Sequence, residues 1–189
     1  IKQKTSQHDL SLKHQEWLVK NFNNVEAQTI NLDKLFETFE NTLSKFDSEL
    51  GLANSRARLR MTTLYQVAAA NQGIVVGTGN KVEDFGVGFY TKYGDGGVDI
   101  SPIADCNKTE VWEMGKALNI LSEIIEAAPT DGLWDDGRTD EGQLGLKYRE
   151  LEEAMNNSNS VNREKYEKIR QMNLHKMQPI PVCKIPNKS

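Results

Sequence analysis

Cysteine is scarce, and the two present, Cys106 and Cys183, lie far apart with no further ligand at zinc-site spacing. That argues against a disulfide framework or a structural zinc, and both read as reduced thiols of a cytoplasmic protein. Long hydrophobic runs are missing too. The longest, Ile74-Val75-Val76 and Val67-Ala68-Ala69-Ala70, fall far short of the ~18 apolar residues a membrane span needs. The first residues, Ile1-Lys2-Gln3-Lys4, carry neither the apolar core of a signal peptide nor an initiator Met. Neither sign of charge dominates: 23 Lys+Arg face 27 Asp+Glu, a net −4, and the one basic cluster, Arg56-Ala57-Arg58-Leu59-Arg60, is short. Nucleic acid and membrane are therefore disfavoured as partners. What remains is a chain of 189 residues, 38% hydrophobic, long enough to bury roughly 70% of its extended surface in one domain, residues 1–189, without disulfides or metal.

Hydrophobic spacing divides the chain. Leu10, Leu12, Trp17 and Leu18 suggest a helix over residues 6–21, and residues 25–32 read as a short strand. Asp33 is a candidate cap for a helix whose Leu35, Phe36, Phe39 and Leu43 would form one buried stripe. Residues 51–72 lack Pro and are rich in Ala, Leu, Arg and Met, which predicts a long helix stopped at Gly73. Ile74-Val75-Val76 then looks like a strand buried on both faces of a parallel sheet, making the class α/β.

Seven glycines follow, at 77, 79, 86, 88, 94, 96 and 97, too many for a helix core and placed where open α/β sheets bind ligands. Residues 99–103 should be briefly extended. Asn107 and Glu110 form a capping box ahead of a helix with Val111, Met114 and Leu118. Residues 122–128 suggest another helix closed by Pro129, residues 130–143 a polar acidic loop, and residues 148–155 and about 161–174 two further helices. The proline-bearing tail from Pro179 to Pro186 must be extended.

Several of these segments can carry chemistry. Gly77-Thr78-Gly79-Asn80 follows the strand, so the Thr78 hydroxyl and adjacent N–H groups would face a ligand. Residues 91–99 pack Lys92, Asp95, Asp99 and three glycines together, a loop over which backbone can approach a substrate while the cation meets an anion and a carboxylate handles protons. Glu83, five residues after Thr78, could hold Mg²⁺ bridged to a phosphate. Lys108 at a helix start opposes the macrodipole but suits a bound anion. On a helix, Arg56 and Arg60 share a face and Arg58 points away, so Arg58 serves a different purpose. His175-Lys176, beside a helix end, reads on spacing alone as a solvated pair.

Taken together, Ala53-Asn54-Ser55-Arg56-Ala57-Arg58-Leu59-Arg60-Met61, Gly77-Thr78-Gly79-Asn80-Lys81-Val82-Glu83-Asp84, the Thr91 to Asp99 loop, Ala128-Pro129-Thr130-Asp131-Gly132-Leu133-Trp134, Thr139-Asp140-Glu141 and His175-Lys176-Met177 resemble ammonia-dependent NAD⁺ synthetases. The resemblance implies a three-layer α/β/α fold with a parallel sheet, Rossmann-like and of the adenine nucleotide α-hydrolase-like type. It implies adenylation of the nicotinate carboxylate of deamido-NAD⁺ by ATP, then displacement of AMP by ammonia. It makes Thr78, Lys108 and Thr130 contacts to ATP, Glu83 a Mg²⁺ ligand, and Arg58, Lys92, Asp99, His175 and Lys176 contacts to deamido-NAD⁺. Asp95 becomes the acid that positions or deprotonates ammonia. The family's homodimer builds its substrate site at the subunit interface.

The sequence departs from that pattern in one place. The Ser-Gly-Gly-x-Asp-Ser/Thr loop that cradles ATP phosphates in the family is not found, so the N-terminal strands and loop are expected to be missing. Losing one donor to developing charge costs ~3 kcal/mol of barrier, and a cradle holds several. The chain alone is therefore expected to be inactive; the alternative to a ligase is a non-catalytic, dimerising nucleotide-binding fragment.

Overall fold

The computed structural model describes residues 5–134 and 136–185, so Pro186 of the tail and Asp135 of the acidic loop lie outside the described residues. Its elements are α1 (Thr5–Asn21), α2 (Asp33–Thr42), a 3-10 turn (Ser44–Phe46), α3 (Glu49–Ala70), a π-helical segment (Lys81–Val87), α4 (Lys108–Ala117), α5 (Ser122–Ile125), α6 (Asp140–Leu144), α7 (Tyr148–Asn156) and α8 (Arg163–Met177). None of the described helices is long and apolar enough to cross a membrane.

The helices begin and end where local chemistry directs. Ser48 caps α3, its Oγ accepting from Gly51 N–H at 3.1 Å. The far end of α3 is a Schellman turn: Gly73 N–H donates to Ala68 O at 2.8 Å and Gln72 N–H to Ala69 O at 3.2 Å. The left-handed residue is Gln72, at φ +54°, and Gly73 follows it. A left-handed conformation costs a residue with a Cβ about 1 kcal/mol or more. Gln72→Gly is therefore expected to raise stability by about 1 kcal/mol, read as a higher urea midpoint at unchanged slope. The start of α2 differs from expectation: Asp33 is its first residue, and Asn31 Oδ1 takes the Asp33 N–H at 2.8 Å. Of the expected stripe on α2 only Phe36 is buried, while Leu35 and Leu43 are exposed. At α4 the box closes from Glu110, whose Oε2 accepts from Asn107 N–H at 2.7 Å.

The main core joins the π-helical segment to α7 and α8. Tyr148, Leu151 and Ala154 recur every three residues along α7 and are fully buried against Val82, Val87 and Tyr166, with Leu144 and Leu146 beside them. The glycine-rich stretch holds more helix than its composition predicts, because partners outside it complete its hydrogen bonds. Asn80 Oδ1 caps the π-helical segment, accepting from Val82 and Glu83 N–H at 3.1 Å each. At its exit, α8 presents Tyr166, Arg170, Asn173 and Lys176, which donate to the carbonyls of Gly86, of Phe85 and Gly86, of Val87, and of Gly88 and Tyr90 respectively. Gly88 makes this close approach possible: its φ is +65°, and a Cβ there would stand 2.7 Å from Asn173 Cβ.

The expected parallel sheet is not formed among the described residues. A single parallel bridge pairs Val76 with Ile100, supported by Gly77 N–H to Ile100 O at 2.7 Å and Asp99 N–H to Val75 O at 3.0 Å. Val75 is buried, but Ile74 and Val76 are 60% and 54% exposed, so this run is not covered on both faces. Residues 25–32 are irregular rather than a strand, since an alternating pattern gains a strand's stability only when a ladder partner is present. The helix expected over 122–128 is one turn, Ser122–Ile125, and the acidic loop contains α6.

Candidate active site

The loop after the π-helical segment is held rigidly against α3. Thr91 Oγ1 donates to Asn54 Oδ1 at 2.7 Å, and Thr91 N–H donates to Asp95 Oδ1 at 2.9 Å. Gly94 lies so close to α3 that a Cβ would stand 2.9 Å from Ala57 Cβ, and one at Gly96 would stand 2.2 Å from the Tyr90 ring. This close packing aims the Asp95 carboxyl into a cleft of about 410 Å³ between α3, the 75–78 run and residues 131–134. The walls are mostly apolar, among them Met61, Val75, Phe89, Leu133 and Trp134, with Thr78, Asp95, Arg60, Asp131 and Lys176 as polar points.

Burial raises the Asp95 carboxyl above its ordinary range, opposed by the Thr91 N–H and by Lys176. Burial lowers Lys176, and Asp95 counters it. Behind them Asp84 packs on Gly79, where a Cβ would fall 1.8 Å from its Oδ2. Burial, with Asp95 and then Glu83 adding, pushes Asp84 up to about 7.

A second cavity of about 320 Å³ is lined by Lys108, Trp112, Thr130 and Gly132, and shares Arg60 and Asp131 with the first. At its edge lies a polar cluster. Lys108 Nζ donates to Glu83 Oε1 at 2.8 Å and Asn80 Nδ2 to Glu83 Oε2 at 2.5 Å. The Tyr148 hydroxyl also meets Glu83 Oε1, and stands 3.1 Å from Asp140 Oδ2. Burial and the two carboxylates drive the Tyr148 hydroxyl upward, so it stays protonated. Among the described residues no group of three His, Cys, Asp or Glu side chains is placed to hold a metal. Both Glu83 oxygens already have partners, so these residues fit Mg²⁺ only as one carboxylate completed by phosphate and water, and form no protein cage.

The residues singled out from sequence thus separate into three places. Thr78, Asp95 and Lys176 line the first cavity; Lys108 and Thr130 line the second, with Glu83 bound to Lys108. Arg58, Lys92 and His175 form a chain on the outer side of the loop: Arg58 Nε donates to Lys92 O, and Lys92 Nζ to His175 O, each at 3.1 Å. Asp99 instead supports the bridge, its Oδ2 accepting from Val75 N–H at 2.7 Å. None of these last four lines either cavity. Lys176, expected as a substrate contact, is already shared between two backbone carbonyls. As the helix spacing predicts, Arg56 is buried and Arg58 exposed. Sequence reasoning passed over Arg60, Asp131, Asp140 and Tyr148; for Arg60 the one available signal was its position a helical turn after Arg56.

The NAD synthase family model matches residues 2–189. An NH(3)-dependent NAD(+) synthetase of Carboxydothermus hydrogenoformans is 42% identical over 139 residues, covering 71% of this chain and 56% of its own length. The chain spans about half the length of the curated relatives it matches. Among solved structures, an NMN synthetase from Francisella tularensis superposes with a TM-score of 0.84 at 30% identity, covering 99% of this chain and 75% of that one. An NH3-dependent NAD synthetase from Campylobacter jejuni, at 24% identity, TM-score 0.66 and coverage of 85% and 67%, supports the fold. These structural likenesses define the class as an α/β fold. Within that class, the chain belongs to the NAD synthase family.

Proposed function

We propose that the chain contributes the substrate half of a ligase that amidates deamido-NAD⁺ with ammonia to give NAD⁺, AMP and pyrophosphate. The observation that carries this reading is the pair of cavities that share Arg60 and Asp131 in their linings, one lined by Asp95, Lys176 and Thr78 and the other by Lys108 and Thr130. In the first half-reaction a nicotinate carboxylate oxygen bonds to the α-phosphorus of ATP, and pyrophosphate departs with the electron pair. In the second, ammonia attacks the activated carbonyl and AMP leaves. Asp95 is suited to receive the proton released by the nitrogen, because its raised pKa makes it a stronger base than an exposed carboxylate. Mg²⁺, supplied with the nucleotide, would neutralise phosphate charge beside Glu83. Arg58, Lys92 and His175, linked through hydrogen bonds on the loop's outer side, would meet a substrate shared with a second subunit of a homodimer, and Asp99, bonded to Val75 N–H, would complete that contact set.

The 189 residues contain no Ser-Gly-Gly-x-Asp phosphate loop, so binding without turnover is the outcome expected of this chain alone. Calorimetric titration tests the reading. Saturable binding of deamido-NAD⁺, weakened about tenfold or more by Lys92→Ala, supports it, since a charge-assisted contact to phosphate is among the stronger hydrogen bonds. No binding by a folded dimer overturns it. A second reading, in which the substrate is the corresponding mononucleotide, is favoured by the extent of the Francisella NMN synthetase match, 99% of this chain. Nicotinate mononucleotide in the same titration separates the two: tighter binding than deamido-NAD⁺ selects the second reading.

A further inference from the structure

A further cavity, of about 310 Å³, shares Trp134 alone with the first of the two described above and nothing with the second. Its size is at the low end of the ~300–1,000 Å³ that ligand pockets occupy. Glu49, Leu52 and Arg56 line it as one stripe of α3, at spacings of three and four residues, and Glu40 of α2 stands beside them. Trp134, Asp136 and Arg138 complete the lining.

The two guanidiniums of this cavity differ. Arg138 is satisfied within the lining: its Nε and Nη2 donate to Asp136 Oδ2 at 2.9 and 2.5 Å, and it lies 4.2 Å over the Trp134 ring. Arg56 is 8% exposed and lies 5.5 Å over the Phe36 ring, yet its Nε and Nη1 have no hydrogen-bond partner among the described residues. A buried cation without acceptors is costly and rare in native chains, so an acceptor is called for. Helical side chains lean toward the N-terminus, which carries Arg56 back over Leu52 in the direction of Glu49, two turns or about 10 Å away. The cavity therefore offers a cation in need of an acceptor and, farther along the same stripe, an exposed carboxylate. A polyphosphate would be repelled by Glu40, Glu49 and Asp136, and a simple cation would leave Arg56 unsatisfied. A small molecule with one charge of each sign answers both, and Leu52 and the Trp134 ring give its body an apolar surface.

We propose that this cavity binds a free α-amino acid with an apolar side chain. Its carboxylate meets the Arg56 guanidinium, its ammonium faces Glu49, and its side chain packs on Leu52 and Trp134. The site is independent of the ligase reading: it uses neither of the nucleotide cavities' polar groups, and its test needs no nucleotide.

L-Leucine is the probe, titrated calorimetrically into this chain beside two relatives that each lack one charge: leucinamide has no carboxylate, and isocaproate no ammonium. The wild-type chain is expected to bind leucine saturably at millimolar concentration or below, and each relative about tenfold or more weakly, since each loses a charge-assisted contact. Arg56→Met keeps an apolar stem beside Phe36 and removes the unsatisfied charge, so it should fold and lose about tenfold or more of the leucine affinity. Glu49→Gln, at an exposed position, should weaken leucine several-fold and leave isocaproate unchanged. If Arg56→Met does not fold, judged by its thermal melt, Glu49→Gln decides: loss confined to leucine upholds the site, and unchanged leucine binding overturns it. A wild-type chain that shows no saturable leucine binding overturns the proposal, as does full leucine affinity in folded Arg56→Met. Equal affinity for leucine and isocaproate overturns the amino-acid assignment, because the cavity would then read a carboxylate alone.

Discussion

Lys108→Met should lower the unfolding free energy by about 2–3 kcal/mol, well beyond the loss from Glu83→Gln, and the double variant should recover most of the deficit. Lys108 and Glu83 meet at 2.8 Å with side chains only 18% and 15% exposed, so each is the other's principal counter-charge. Removing one partner of a fully buried pair costs about 3–5 kcal/mol because the remaining charge stays desolvated; the residual exposure here reduces that. The asymmetry follows from side-chain length. Lys108 can swing its ammonium toward water, whereas Glu83 is held between Asn80 and Tyr148. Urea titration of the four members of a double-mutant cycle measures the coupling. Additive losses would mean that the pair contributes no more than its separate contacts. The cycle needs no nucleotide, so it reports the resting cluster apart from any role for Lys108 in holding ATP.

Much of the helical architecture was legible because it is written locally. α1, α3, α7 and α8 follow from local composition and apolar spacing, and α4 from the box that Asn107 and Glu110 form at its start. Strands are different, since their stability lies in the partner. Residues 25–32 alternate suitably and remain irregular, and the β-branched run at 74–76 finds only one short bridge. The π-helical segment was illegible for a related reason: the donors that complete it, Arg170, Asn173 and Lys176, come from more than 80 residues away. In the candidate site, the glycine-rich loop and the family resemblance pointed to Asp95, Thr78 and Lys176, which do line one cavity. The segments that carry the resemblance contain Arg60, Asp131 and Asp140 but give none of them a role, and Tyr148 lies outside those segments. Asp140 and Tyr148 stand eight residues apart on two different helices, and only the fold makes them neighbours of Glu83.

That neighbourhood gives Asp140 the other large expected effect. The side chain is buried, the residue being 6% exposed; its Oδ1 has no hydrogen-bond partner among the described residues, and its Oδ2 stands 3.1 Å from the Tyr148 hydroxyl. A phenol carries one hydrogen, and Tyr148 shares it with Glu83, so the contact to Asp140 is best satisfied when Asp140 carries a proton of its own. Burial is the main cause that pushes Asp140 up to about 6, with Glu83 and Asp131 adding while the Tyr148 contact and Lys108 oppose. A carboxyl with a higher pKa folded than unfolded binds more protons in the native state at intermediate pH, so stability falls as pH rises. The contribution is complete below the unfolded pKa of about 4 and is lost as pH passes through about 6. At ~1.4 kcal/mol per unit, the loss by pH 7 is about 3 kcal/mol. Asp84, pushed up to about 7, adds a slope of the same sign. Asp140→Asn removes the charge and supplies an N–H to the Tyr148 oxygen. It is therefore expected to unfold like the wild type near pH 4 and to exceed it by as much as about 3 kcal/mol at pH 7. Urea titrations from pH 4 to 8 decide the matter. Curves that diverge as pH rises identify Asp140 as a proton-binding group of the native state, and parallel curves would show that its carboxyl stays ionised throughout, with the slope left to Asp84.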